Sequence, residues 1–498
     1  MFAFTDFVRV AGTMESVPWR TQIVFEFAVH FILTSPHGRA QLSRPHIIET
    51  DAVVIGGGLS GTAAAIHLAR AGFKVLCIEQ QHEISNTVGE SLDWSAPELF
   101  ATLGLTMDEL VASEAATWKR HITIARIDSE RKEFLPGAWL AESPWNVEVR
   151  TLHLDRDRTD FRLREIAQHL GVTTLHDRVA DFSVLDEHNP RTRRVLGLRT
   201  VQGTFVRALW FIDASGSDAS LLGKRFELKS VAFGPRKVAI WSHLQTEQWV
   251  EGTTLYMVPS QGDYMEWIWE IPIRPGLSSI GYVAPGSSVK TQRAAGHGTQ
   301  NIFRRQCSRF SRLQEILDQN PAPEISTTTF LCRTYEGVCG TNWVIVGEAA
   351  SQSDPITGNG VTAALRHAEE ATSLIRGYRH RGTISMTARA LYNFRVSTVG
   401  FYFNSLIEKL SYQPTLRDRL GFFTSARVYT VRAWLMNLVY TRMRPAGSLI
   451  RTLVISSILN AIRMMTWLAF RAGSLLPIRA DCQTRQKTAS AGEQIHAV

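Results

Sequence analysis

The chain has 498 residues, 44% hydrophobic and 20% charged, with a net charge of +8. That composition supports a packed core of two or three units and excludes a disordered or fibrous protein. Residues 411–498 hold 12 Lys and Arg against 3 Asp and Glu, so the positive charge belongs to the tail, which excludes a basic nucleic-acid cleft. The five cysteines, Cys77, Cys307, Cys332, Cys339 and Cys482, show no CxxC spacing. Neither a disulfide framework nor a metal site is expected, and a reducing cytoplasm fits.

Residues 1–49 read as an N-terminal extension. Within them Gln22 to Thr34 is apolar but broken by Glu26 and His30, too short and too polar for a membrane span. The opening lacks the basic region of a secretory signal. A surface-packed extension and an upstream start, with Met14 as a later one, both remain open.

The segment Asp51 to Glu79, DAVVIGGGLSGTAAAIHLARAGFKVLCIE, predicts strand, tight turn, helix and strand, a unit of about 30 residues. Gly56 makes the turn, Gly58 lets backbone approach a pyrophosphate, and Gly61 lets the helix pack on the strand. Free N–H groups at the helix start, near Ser60, then face the phosphates. Glu79, 18 residues after Gly61, is placed to accept from ribose hydroxyls. The pattern predicts a dinucleotide site.

Further along, helices are expected over Ala96 to Leu103, Met107 to Ala116 and Leu154 to His169, and an alternating strand over His121 to Ile127. Arg191 to Trp210 reads as a hairpin whose second strand ends at Asp213-Ala214-Ser215-Gly216. Residues 228–335 are rich in strand pattern, with aromatic alternation over Tyr264 to Ile273. Trp343 to Val346 is a last strand before GEAASQSDPITGNG, and the chain after Val361 reads as helical. The expected division is 1–49 extension, 50–225 first part of a nucleotide-binding domain with inserted elements at 92–150, 226–335 a β-rich substrate domain roofing the site, 336–375 the second part, 376–479 a helical region and 480–498 a polar tail.

These segments together resemble the FAD-dependent monooxygenase superfamily with the p-hydroxybenzoate hydroxylase-like fold, in its flavin-dependent halogenase branch, over roughly residues 50–400. The resemblance implies an α/β fold: a discontinuous, Rossmann-like FAD-binding domain with an inserted β-rich substrate domain and a helical C-terminal region. LDRDRTDFRLREIA is similar to the family's VDRxxFDxxL and implies Arg156 near the flavin. Val179 falls where the family's backbone meets adenine, and Asp213 ends the supporting strand. GEAASQSDPITGNG resembles GDAAxxxDPxxxxG, which implies flavin contact by Glu348, Pro355, Gly358, Asn359 and Gly360. Glu348 replaces the usual aspartate. Val88-Gly89-Glu90-Ser91 resembles the GES loop shared by halogenases and isoprenoid reductases, and implies that Glu90 and Ser91 shape the flavin loop.

Trp267-Ile268-Trp269-Glu270-Ile271-Pro272 fits WxWxIP, a halogenase signature. Strand alternation puts Trp267, Trp269 and Ile271 on one face, where indoles would exclude water and organic substrate from the flavin; ordinary sheet packing gives the same pattern. Lys119 lies 29 residues after Glu90, close to the spacing of the lysine in tryptophan halogenases. The resemblance implies that reduced FAD, O2 and halide give hypohalous acid, and that Lys119 passes the halogen to the substrate. Desolvation would lower the lysine's pKa and favour this. A strand-start lysine in solvent beside Arg120 is the bland alternative.

Two departures stand out. Thr357 occupies the place of the glutamate that assists the lysine in tryptophan halogenases, and TGNG looks more like hydroxylases and geranylgeranyl reductases. A monooxygenase, a reductase of that type and a non-catalytic flavin-bound scaffold therefore stay open beside a halogenase acting on an electron-rich small molecule. No second GxGxxG is present, so reduced flavin is expected from a separate flavin reductase or from transient NAD(P)H contact, as in single-component hydroxylases. In the tail, Arg427 to Ala472 is apolar with spaced arginines, consistent either with a helix lying on a membrane surface or with one packed over the core. Recurring arginines disfavour a span, so the expected location is cytoplasmic, with peripheral membrane contact as the open alternative.

Overall fold

The computed structural model describes residues 46–81, 88–93, 96–126, 129–134, 151–217, 220–247, 252–258, 264–408 and 412. Residues 1–45 of the extension and the segment Arg427 to Ala472 lie outside these residues, as does Cys482; the other four cysteines are free and buried.

A seven-stranded sheet carries the dinucleotide turn. Its central strand, Ile47–Ile55, pairs in parallel with Val75–Glu79 on one side and Phe205–Asp213 on the other. Thr173–His176 extends the Val75 edge in parallel. The outer edge of Phe205–Asp213 is shared: its first residues pair with Arg194–Thr200 in the expected hairpin, and its last three pair in parallel with Trp343–Ile345. Val179–Leu185 closes that edge. The run Ala52 to Ile55 is buried on both faces, which is what a covered parallel sheet demands. Pairing begins at Ile47 opposite Phe205, so the sheet starts before the expected boundary at residue 50.

The second sheet is the roof. Its order is Ser326–Phe330, Lys237–Gln245, Leu277–Pro285, Glu266–Arg274, Thr253–Val258, Ile122–Arg126 and Ser129–Phe134. All neighbours are antiparallel except Thr253–Val258 with Ile122–Arg126. Both faces are buried. Ile240, Ile268 and Ile280 pack in a cluster with Ile302, Phe303 and Leu313 of the helices Thr299–Cys307 and Ser311–Gln319. The other face turns Trp241, Trp267 and Trp269 inward. Two roof strands come from 92–150, a segment expected to be inserted in the nucleotide-binding half; Ile122 and Ile124 are buried there by pairing with Thr253 and Leu255.

Between the sheets lies a two-stranded ribbon, Ala116–Lys119 with Thr151–Leu154. The helix expected to reach Ala116 stops at Ala112, because Ser113 caps it and Glu114 takes the left-handed conformation at φ 55°. The chain then enters the ribbon. One ribbon face, Ala116, Leu152 and Leu154, joins the apolar core. The other, Thr117, Lys119, Thr151 and His153, is polar and equally buried.

Candidate active site

A cavity of about 570 Å³ runs between the two sheets and is lined from Gly58 and Ser60 to Lys119, Trp267 and Trp269. Glu90, Ser91, Arg156, Glu348, Pro355, Gly358 and Gly360 also line it. Twelve of the residues singled out from the sequence therefore share one wall system, although they come from separate segments.

The dinucleotide end fits the pyrophosphate of FAD. A Cβ on Gly58 would meet nothing within 4 Å, while one on Gly61 would lie 1.9 Å from the Gly56 carbonyl oxygen. Gly58 thus keeps space open and Gly61 packs the turn shut. Helix Leu59–Arg70 begins at Gly58 without a side-chain cap, so its first N–H groups are available to an anion. Glu79 accepts from the Gly57 and Gln81 N–H groups, which fixes its carboxylate beside the turn.

Three other residues singled out for the cofactor do not line the cavity. Asp213 has its carboxylate consumed by its own loop, accepting from Ser215 Oγ and N–H, Ser220 Oγ and Leu222 N–H; it braces the strand end and does not line the cavity. Val179 opens an edge strand opposite Thr200 and is not among the residues that line the cavity. Asn359 is buried at the N-cap of helix Gly360–Gly377, behind the lining glycines.

Arg156 ties the start of helix Arg156–His169 to the Val88–Gly89 loop. Its Nε and Nη2 donate to Asp160 Oδ1 and Oδ2 at 3.0 and 2.7 Å, and Nη1 donates to the Val88 carbonyl at 3.1 Å. Burial disfavours the guanidinium, but Asp160, Glu90 and Glu348 outweigh it and raise its pKa. Gly89 adopts φ 118°, and a Cβ there would lie 2.8 Å from Arg156 Nη1. Glu348 faces the cavity lumen; enclosure by the surrounding protein raises its pKa, with Arg156 opposing.

Glu90 is a buried carboxylate with both oxygens engaged. Oε2 accepts from the Gly89 N–H at 2.9 Å, and Oε1 from Ser279 Oγ at 2.8 Å. His243 Nε2 stands 3.7 Å from Oε1. Burial works to raise the Glu90 pKa, but His243, Ser279 and Gly89 hold it below the ordinary value. Glu90 in turn raises the His243 pKa against burial.

Lys119 does not face solvent. Its Nζ donates to the Leu92 carbonyl at 2.9 Å, and burial lowers its pKa from 10.5 to about 8 against the pull of Asp93. His153 lies beside Thr117 in the ribbon register. Its Nε2 is 2.8 Å from Thr253 Oγ1, which is 3.1 Å from Ser91 Oγ. Burial and the charges of Lys119 and His121 keep the His153 pKa well below its usual value. The amine thus shares a dry, polar ledge with two hydroxyls that line the cavity.

Sequence reading missed Asp160, His153, Thr253, Ser279 and Tyr412. Asp160, four residues from Arg156 on one helix, carried a local signal; the others act across long separations.

The family model for tryptophan halogenase matches residues 124–439, and one for FAD dependent oxidoreductase matches residues 51–146. A flavin-dependent enzyme class is thereby defined, and the chain belongs to the tryptophan halogenase family: it is an FAD-dependent halogenase. Among its relatives is a 1H-pyrrole-2-carbonyl peptidyl-carrier-protein chlorinase of Pseudomonas fluorescens, 27% identical over 65% of this chain and 74% of that protein. Tryptophan 2-halogenase of Chondromyces crocatus is 24% identical over 79% of this chain and 74% of its own length. Menaquinone reductase of Mycobacterium tuberculosis is 26% identical, over 65% and 76%. The solved structure of the flavin-dependent brominase Bmp2 shares the fold with a TM-score of 0.60 at 19% identity, covering 84% of this chain and all of that one.

Proposed function

We propose that Lys119 is the residue that carries halogen to the substrate, a small electron-rich aromatic or enol seated against Ser91, Thr253, Ile122 and Ile271. The observation that supports this most is the placement of a buried amine of lowered pKa on the wall of the same cavity that the flavin loops line. The pyrrole and tryptophan in the relatives' names are electron-rich aromatics of this kind.

Bound FAD, once reduced, supplies hypohalous acid from O2 and halide. Gly58, Ser60, Arg156, Glu348 and the Pro355 to Gly360 loop would hold it. The chain's own groups do the rest. The neutral Lys119 amine attacks the halogen of hypohalous acid, forming N–X as O–X breaks; the departing hydroxide takes the amine proton and leaves as water. The substrate's π pair then takes the halogen, the N–X electrons return to nitrogen, and the ring proton goes to that nitrogen. The Leu92 carbonyl orients the amine, and the ledge hydroxyls of Ser91 and Thr253 orient the substrate. Burial supports this route because it leaves a sizeable neutral fraction of amine near pH 8.

Lys119→Ala tests the reading. Halide-dependent oxidation of FADH2 should persist while halogenated product falls by at least about a thousandfold, as expected for loss of a covalent carrier. Retained halogenation removes Lys119 from the chemistry. Reduced flavin is supplied by a separate reductase in this reading, because the sequence carries a single dinucleotide turn.

Among the described residues no helix is long and apolar enough to cross a membrane. The spaced arginines of Arg427 to Ala472 support a peripheral role for the tail in presenting a lipophilic substrate. Truncation after residue 426, which keeps Tyr412, should then abolish liposome binding and spare FAD; unchanged liposome binding removes this role.

A further inference from the structure

Both tryptophans of the WIWEIP strand use their indole N–H groups, and each leads to a different flavin loop. Trp269 Nε1 donates to Ser279 Oγ at 3.0 Å, and Ser279 Oγ donates to Glu90 Oε1 at 2.8 Å. Glu90 closes on the N–H of Gly89 in its own loop. Trp267 Nε1 donates to Tyr412 Oη at 3.0 Å, and Tyr412 donates to Asp354 Oδ1 at 2.8 Å. That same oxygen accepts from the Ile356 N–H at the start of the turn Pro355–Thr357. Lys237 Nζ stands 3.1 Å from Asp354 Oδ2, the other oxygen of that carboxylate. The two loops also touch each other: a Cβ on Gly358 would sit 2.7 Å from the Ser91 carbonyl oxygen.

We propose that Trp267 and Trp269 are positioning residues that clamp the two flavin loops, from one rigid strand and through two hydrogen-bond chains ending on Asp354 and Glu90. An apolar wall needs only rings, and phenylalanine would supply them. The indole N–H is what a wall does not need and a clamp does. Every side chain in the two hydrogen-bond chains is buried, so losing one link leaves its partners unsatisfied. The clamp rests on the reading of these loops as the flavin's, and it fixes the gap between them before the cofactor arrives.

The test is FAD affinity, by fluorescence titration of the full-length apoprotein, for wild type, Trp269→Phe, Ser279→Ala, the Trp269→Phe/Ser279→Ala double variant, Trp267→Phe and Tyr412→Phe. Each single change should weaken FAD binding about tenfold, the loss typical of one buried hydrogen bond. The double variant should be no weaker than Ser279→Ala alone, because both changes cut one chain. Wild-type affinity in the Phe variants, or effects that multiply to about a hundredfold in the double, overturns the clamp. Should Trp269→Phe fail to fold, Ser279→Ala and Tyr412→Phe read the same links with the indoles intact. Gly58→Val separates the two levels: if it binds FAD as wild type does, the assignment of the loops is overturned along with the clamp. If it loses FAD while the Phe variants keep it, only the clamp is.

Discussion

The dinucleotide turn and the roof wall border one cavity and are built in opposite ways. The turn is made of backbone: Gly56, Gly58 and Gly61 act through what they lack, and all lie within one strand–turn–helix segment. The wall is made of side chains, and its partners are remote: Ser279 meets Glu90 across 189 residues and Trp267 meets Tyr412 across 145. A cofactor's constant part can be met by main-chain geometry, whereas the variable chemistry needs side chains that only tertiary pairing brings together.

Each region holds a glycine on which this contrast can be broken. Gly61→Ala forces a Cβ to within 1.9 Å of the Gly56 carbonyl oxygen, and backbone cannot yield there. It should cost about 4 kcal/mol or more and abolish FAD retention; urea unfolding and the flavin content of the purified protein are the readouts. A variant that keeps both would mean the turn has slack.

Lys119→Met comes next. Lys119 has its ordinary value of 10.5 lowered to about 8 by burial, so between those values the unfolded chain binds more protons and stability rises with pH. Below about pH 8 the full penalty applies, on the order of 3 kcal/mol. Methionine should therefore stabilise the protein at pH 7, and the gain should shrink from pH 8 and vanish above about pH 10.5. A gain independent of pH would show that packing, not charge, sets it.

Smaller still is Gly281→Ala in the roof. Gly281 stands in register between Trp241 and Trp269, and a Cβ there would lie 2.1 Å from the Trp269 ring. A side chain can move where backbone cannot, so about 1–3 kcal/mol is expected, with a change in indole fluorescence and weaker FAD binding. Loss as large as that of Gly61→Ala would erase the distinction between the two regions.

How much was legible follows the same division. The strand from Asp51 to Ile55, its turn and helix, helix Ala96–Leu103 and the inward facing of Trp267 and Trp269 all follow from local pattern, whereas the strand's start at Ile47 does not. The ribbon did not, because a left-handed Glu114 ended a helix that propensity would continue. Asp213 was legible as the end of the supporting strand, but the hydroxyls and N–H groups that engage its carboxylate were not. Ser279 and His153 gave no signal at all: a serine or histidine in a strand pattern says nothing about a partner 100 or more residues away.

The cavity wall starts at Gly58 and is not complete until Ala364. At about 5–20 residues per second, a ribosome needs roughly 15–60 s to make that stretch. Throughout the first half of this time strand Ile47–Ile55 is without Phe205–Asp213, the neighbour it pairs with along nearly its whole length. Flavin therefore cannot template the nascent chain, and an apolar strand edge must wait unpaired. Yield in a heterologous host should depend on chaperone supply more than on flavin added to the medium.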